Sequence, residues 1–254
     1  ANPHHYQLRP SQRSIVSKAD LFVWVGPDLE LFLVKVLKST SVKQLALIEA
    51  LNLNSKSHAS ASNEESGSHH DHHHSSDEHN GSFDPHIWLN PELTKQIAEA
   101  IYQQLTIQYP ALKSQFKQNL DDFVSQLSIA EQKIANQFGA QKPLSIYTFH
   151  QAFTHFAEHY GLHIEGTITR TPEARPGAKH LSELSKEIQQ KSKICLVKEP
   201  NFKAPYINSI ASETEVVFTT ADPLATTIEN SPKGYIDFIH SIADSFYQCF
   251  EQQK

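Results

Sequence analysis

A long series of apolar residues at helical spacing, in the middle of the chain, most constrains the fold. Between residues 112 and 138 the spacings are three, four or seven residues, and the series comprises Leu112, Phe116, Leu120, Phe123, Leu127, Ile134 and Phe138. This spacing places the side chains on one face of an α-helix, which at about 3.6 residues per turn makes about seven turns. We therefore predict a helix over 110–138 that acts as a structural spine between two halves of the molecule.

The segments on either side of this helix alternate between short apolar runs and helical patterns. Runs typical of buried strands cover 19–27, 144–149, 194–197 and 215–219. Helical patterns begin near Asp28 and after Pro91, and they also cover 178–190 and 235–250. Strands that alternate with helices predict an α/β fold with mainly parallel sheets flanked by helices. In such folds ligands bind at the carboxyl ends of the strands.

Composition and charge exclude two classes of protein. No apolar run reaches the roughly 20 residues that a membrane-spanning helix needs. The 22 basic residues are outnumbered by 28 acidic ones, and the chain has no basic tract that could neutralise a nucleic-acid backbone. We therefore expect neither membrane insertion nor a nucleic-acid partner.

The two cysteines, Cys195 and Cys249, are far apart in the sequence and form no CxxC motif. This spacing argues against a zinc knuckle or a redox dithiol. The count alone leaves two alternatives open, a disulfide or two buried thiols in a reducing compartment.

Histidine is the most unusual component, because seven of the 16 histidines lie between His58 and His79. Residues 55–82 are too polar to bury a core, so we expect a disordered loop. The run is internal and contains acids, which argues against an affinity tag. Imidazoles mixed with carboxylates bind zinc, copper or nickel, and a flexible segment loses entropy on each capture. We expect a weak secondary metal site formed by His69, His70, His72, His73, His74 and His79.

Isolated histidines at three other places are candidates for a defined site. His150 directly follows the strand-like run 144–149, at the carboxyl end of a predicted strand. His86 is flanked by apolar residues that would bury it, and a buried imidazole needs a partner for each ring nitrogen. His4 and His5 are near the start of the sequence. Taken singly, a histidine such as His150 is more often structural than functional.

Residues 155–159, His-Phe-Ala-Glu-His, match the H-x-x-E-H pattern of inverted zinc peptidases. This pattern supports an alternative hypothesis, a zinc-dependent hydrolase in which His155 and His159 bind the metal and Glu158 is the base. On a helical wheel, however, Phe153 and Phe156 share the face that must pack inward, and the three motif residues lie opposite. Such a short pattern also arises by chance in a histidine-rich chain. We therefore favour a solvent-exposed helix face.

Several separated segments together resemble the solute-binding proteins of zinc and manganese ABC importers, in particular the periplasmic zinc-binding type. The matching segments are 3–11, 19–27, the His-rich loop, 86–92, 149–153, 172–178 and 222–224. They occur in the family's order and span essentially the whole chain, which makes the resemblance more specific than any single motif.

The resemblance implies two α/β lobes joined by a long rigid helix, with Zn²⁺ bound in the cleft between them. His4, His86 and His150 would be zinc ligands, and Asp222 stands where family members supply a carboxylate. Zinc usually has four ligands, so the fourth would be either Asp222 or water. An imidazole at position 150 favours zinc, because manganese-type members carry a carboxylate there. A manganese-binding importer component is a further alternative.

The resemblance also implies the domain organisation and the function. Residues 1–109 would form an amino-terminal lobe that lacks the family's first strand–helix unit, 110–138 the linking helix, and 139–254 the carboxy-terminal lobe. The chain would be a periplasmic monomer that captures Zn²⁺ and delivers it to a membrane permease, without catalysis. A disulfide between Cys195 and Cys249 is also implied, and an oxidising periplasm suits it.

Overall fold

The structure is a computed structural model that describes residues 6–53, 83–139, 144–169, 174–200, 207–211 and 214–252. The chain divides into two compact units, Ala1–Pro85 and His86–Lys254. Within the described ranges, no helix combines the length and the apolar character that crossing a membrane requires.

The first unit is built around a small parallel sheet. Strand β1 (Phe22–Trp24) pairs with β2 (Gln44–Ala46), and Val23 lies opposite Leu45. The helices of this unit are α1 (Pro10–Lys18), α2 (Pro27–Glu30), α3 (Leu33–Lys38) and α4 (Leu47–Ala50). The strand predicted within 19–27 is confirmed. The helix predicted from Asp28 is divided into α2 and α3.

The second unit contains a four-stranded parallel sheet of order β4-β3-β5-β6. Its strands are β3 (Ile146–His150), β4 (Ile164–Thr169), β5 (Lys193–Lys198) and β6 (Glu215–Thr220). Every residue of β3 is buried, because helices cover both faces of the sheet. This burial explains why β3 and β5 could be predicted as continuous apolar runs. Strand β4 was not predicted, because Glu165, Gly166 and Thr167 interrupt its apolar residues.

Two layers of helices enclose this sheet. The helices of the second unit are α5 (Pro91–Gln108), α6 (Lys113–Phe138), α7 (Thr154–His159), α8 (Ala178–Ile188), α9 (Ile207–Ile210) and α10 (Gly234–Glu251). One face of the sheet packs against α6, α7 and α10, and the other packs against α8 and α9. Ile146 and its neighbour Tyr147 point to opposite layers, as the alternation of side chains along a strand requires.

The predicted long helix is confirmed as α6, preceded by one 3-10 turn at Pro110–Leu112. Its predicted apolar face is buried at Leu120, Leu127, Ile134 and Phe138. Helix α6 packs against α5 and α10, and all three belong to the second unit. The boundary between the two units therefore differs from the predicted lobe boundaries, and the linking role of α6 stays a prediction.

The predicted disulfide is present between Cys195 and Cys249. Cys195 lies in the inner strand β5 and Cys249 near the end of α10, and neither residue is exposed to solvent. The bridge therefore fastens the last helix of the chain to the middle of the sheet.

Candidate metal site

His150 is the last residue of the inner strand β3, at the carboxyl edge of the sheet. The ends of parallel strands meet at one edge, so residues that follow β5 and β6 lie on the same side of the sheet. The side chain of His150 is only 2% exposed. The strand therefore holds a buried imidazole at the place where ligands bind in folds of this class.

His86 immediately precedes a 3-10 turn, Ile87–Leu89, that leads into α5. Ile87 and Leu89 are fully buried and anchor this turn in the core. Asn90 then caps α5, because its side chain accepts hydrogen bonds from two backbone N–H groups of the first turn. These local preferences fix the segment that carries His86, whose side chain is 1% exposed.

The two imidazoles face each other through their Nε2 atoms, which are 3.5 Å apart. The ring centroids are 5.2 Å apart, and the planes are inclined at 67°. Two nitrogens that each lie about 2.0–2.1 Å from a tetrahedral zinc ion are about 3.3–3.4 Å from each other. The observed separation between His86 and His150 therefore fits two ligands of a single zinc ion.

Glu199 orients the ring of His150 from the opposite side. Its carboxylate accepts a hydrogen bond from Nδ1 of His150, and the two side chains are 12% and 2% exposed. An ionised carboxylate only accepts hydrogen bonds, so Nδ1 carries the proton and the Nε2 lone pair is directed towards His86. This carboxylate–histidine arrangement is common at metal sites, where it fixes the tautomer and raises the basicity of the ligand.

Asp222 lies in the loop that follows β6, and its carboxylate is engaged within that loop. Oδ1 accepts the backbone N–H of Leu224 at 3.0 Å, and Oδ2 accepts the backbone N–H of Thr226 at 2.7 Å and its hydroxyl. Hydrogen bonds within the loop therefore occupy three of the roughly four acceptor positions of the carboxylate.

Within the described part of the chain, no group of three or more His, Cys, Asp or Glu side chains is arranged to hold a metal ion. The structure thus brings His86 and His150 together and does not bring Asp222 into one group with them. The other predicted ligands lie outside the described residues, namely His4, His69, His70, His72, His73, His74 and His79. Their assignments stay predictions.

The H-x-x-E-H residues lie on α7, and one of them, His159, takes part in a different arrangement. Nε2 of His159 lies 3.1 Å from a carboxylate oxygen of Glu131 on α6, and the other oxygen of Glu131 is paired with Lys95 on α5. Glu158 is exposed, as the helical wheel predicts, but His155 and His159 are half-buried. His159 is therefore part of a polar network that joins three helices, which accounts for this residue without a metal.

Neither Glu199 nor Trp88 is predicted as a site residue from the sequence. A signal for Glu199 is present in the sequence, because the residue comes two positions after the apolar run 194–197. An acidic residue at the end of a strand that neighbours the His150 strand could have been considered as its partner.

A sequence model of the family described as ZnuA, zinc-uptake complex component A, periplasmic, matches residues 1–249. The chain belongs to this family. It is 34% identical over 260 residues to the high-affinity zinc uptake system protein ZnuA of Yersinia pestis, an alignment that covers 99% of this chain and 82% of that protein. The protein of the same name from Haemophilus ducreyi is 35% identical, with coverages of 99% and 84%.

Two solved structures show the same fold as this chain. The periplasmic zinc-binding protein TroA from Treponema pallidum has a TM-score of 0.76 and 16% identity, and the alignment covers 98% of this chain and 87% of that chain. A crystal structure of ZnuA has a TM-score of 0.71, 22% identity and the same coverages. Membership of the zinc-uptake component family confirms the resemblance stated above. The family is a substrate-binding component of a transport system and not an enzyme, so the expectation of a non-catalytic protein is also confirmed.

Proposed function

We propose that this chain captures Zn²⁺ in the periplasm and delivers it to the permease of an ABC importer. Family membership supports the transport role, and the relatives described above are named zinc uptake proteins. The observation that carries the proposal for this chain is the buried pair of Nε2 atoms, 3.5 Å apart, on His86 and His150.

The donor chemistry of this pair favours zinc. Imidazole nitrogen suits zinc, whereas manganese prefers carboxylate and carbonyl oxygens. His150 is the last residue of β3, and His86 directly precedes the 3-10 turn that leads into α5. The chain therefore loses little conformational freedom when the metal binds, which strengthens binding. His4 and Asp222 are the further ligands predicted from the sequence.

Calorimetric zinc titrations at neutral pH test the proposal. The full chain is compared with a variant that lacks residues 55–82 and with His150→Ala. We expect the deletion to keep one tight site and to lose weaker ones, and we expect His150→Ala to lose the tight site. If the tight site disappears with residues 55–82 and survives His150→Ala, the proposed site is wrong.

A matched control addresses the alternatives. The double variant His155→Ala/His159→Ala should keep the tight site, because His159 is paired with Glu131. Loss of the tight site in this variant would support the hydrolase hypothesis instead. Displacement of bound zinc by a modest excess of Mn²⁺ would support the manganese alternative.

A further inference from the structure

Trp88 joins the segment that carries His86 to three other parts of the second unit. Its indole Nε1–H donates a hydrogen bond to the backbone carbonyl of Pro223, at 2.8 Å. Its own carbonyl accepts hydrogen bonds from the hydroxyls of Tyr235, at 2.9 Å, and Thr94, at 3.2 Å. Trp88 therefore contacts the loop after β6, the start of α10 and the first turn of α5 at once.

The indole hydrogen bond links the two segments on which proposed ligands stand. Pro223 directly follows Asp222, whose carboxylate is fixed to its own loop by hydrogen bonds from Leu224 and Thr226. Trp88 and Pro223 are 135 positions apart in the sequence. The bond therefore fixes the position of the Asp222 loop with respect to the 3-10 turn that follows His86.

The ring of Trp88 also restricts the imidazole of His86. The two ring centroids are 5.2 Å apart and the planes are inclined at 59°. An aromatic neighbour at this distance limits the rotation of the imidazole, whose Nε2 has to stay directed at His150. The tryptophan thus acts on the direction of the His86 ring and on the placement of the Asp222 loop.

We propose that Trp88 is a positioning residue of the zinc site, which sets zinc affinity by holding the His86 imidazole and the Asp222 loop in one fixed arrangement. The inference rests on the proposed function. Outer contacts that orient metal ligands change metal affinity by about 10- to 100-fold when they are removed. A tryptophan with only a structural role would change the stability of the fold and leave the affinity for zinc unaltered.

The test is Trp88→Phe, which keeps an aromatic ring and removes the N–H donor. Trp24→Phe in the first unit is the matched control, because the buried indole nitrogen of Trp24 has no hydrogen-bond partner among the described residues. Zinc affinity is measured by competition with a chelator, the coordination geometry by the visible absorption spectrum of the Co²⁺ form, and folding by thermal unfolding of the metal-free protein.

We expect Trp88→Phe to weaken zinc binding about tenfold or more and to alter the Co²⁺ spectrum, while Trp24→Phe stays within about twofold of the wild type. Tyr235→Phe removes one donor to the Trp88 carbonyl and should give a smaller loss; it decides the question if Trp88→Phe does not fold. Unchanged affinity and an unchanged Co²⁺ spectrum in the folded Trp88 variant overturn the inference, even if its unfolding temperature falls. A wild-type protein that binds no zinc refutes the proposed function itself.

Discussion

Replacement of Glu199 by glutamine is a sharp test of the metal site, because it removes a charge and keeps a hydrogen-bond acceptor. The carboxylate of Glu199 accepts the Nδ1 proton of His150, and both side chains are largely buried. The amide oxygen of glutamine can accept the same proton, so the tautomer of His150 is kept. The variant loses the negative charge that would attract the bound cation.

The size of the effect follows from the geometry. Ordinary hydrogen-bond and zinc–nitrogen lengths place the carboxylate about 7 Å from a metal bound to Nε2 of His150. At that distance, with an effective dielectric constant of about 20, a dication and a carboxylate attract each other by about 5 kcal/mol. This is a ceiling, because solvent reaches Glu199 in part and the amide dipole replaces some of the attraction. Outer carboxylates at metal sites typically contribute about 10- to 100-fold in affinity, or about 1.4–2.7 kcal/mol.

We therefore expect Glu199→Gln to weaken zinc binding by about 10- to 100-fold, measured by chelator competition at neutral pH. The control is Glu158→Gln, which makes the same change in net charge at an exposed position on α7. Urea unfolding of the metal-free proteins checks that both variants fold. An affinity within about twofold of the wild type, or equal losses in the two variants, would refute the assignment of Glu199 as the partner of a metal ligand.

Three predictions concern stability, each measured by urea unfolding of the metal-free protein. Replacing Cys195 and Cys249 by alanine should lower the free energy of unfolding by about 4 kcal/mol, because the bridge closes a loop with a sequence separation of 54; a loss below about 1 kcal/mol would contradict this account. Burial alone would raise the pKa of Glu165, but hydrogen bonds from Lys191 and two hydroxyls outweigh it and hold that pKa below its usual value. The ionised carboxylate therefore stabilises the fold above its ordinary pKa, and this contribution is lost as the pH falls through the lowered pKa. The variant Glu165→Gln should thus be less stable than the wild type at pH 7 and should lose less stability on acidification. Equal pH profiles of stability in the two proteins would contradict this role of Glu165. Asn90→Ala removes the cap of α5 and should cost about 1 kcal/mol, and an unchanged midpoint would show that the cap contributes nothing.

The parts of the fold that could be predicted are those in which local pattern and tertiary environment agree. Helix α6 repeats its apolar face over 26 residues, and β3 and β5 are buried on both faces, so their sequences carry the pattern directly. Strand β2 has only three residues, and β4 contains glycine and a glutamate. Their strand conformation depends on pairing with a neighbour, which a single sequence does not display.

The candidate site likewise contains features that could be predicted from the sequence and features that could not. His150 could be placed at the end of a strand from the apolar run before it, and His86 could be placed in a buried segment from its neighbours. The Nε2 atoms of His86 and His150 are 3.5 Å apart although the residues are 64 positions apart in the sequence. This contact depends on the packing of a helical segment against a sheet. The same holds for Trp88, whose carbonyl partner is on Pro223. Contacts of this kind arise from tertiary structure, so only the resemblance to a family indicated any of them in advance.

The bridge between Cys195 and Cys249 makes the maturation of the second unit depend on the cellular compartment. Where thiols are kept reduced, the unfolded chain retains the freedom that the bridge removes, and the equilibrium shifts towards less folded states. An oxidant then fastens α10 to β5, the strand that pairs with β3. A chain kept under reducing conditions would thus stay easier to unfold, and the edge of the sheet that carries His150 would gain its full rigidity only after the two cysteines are oxidised.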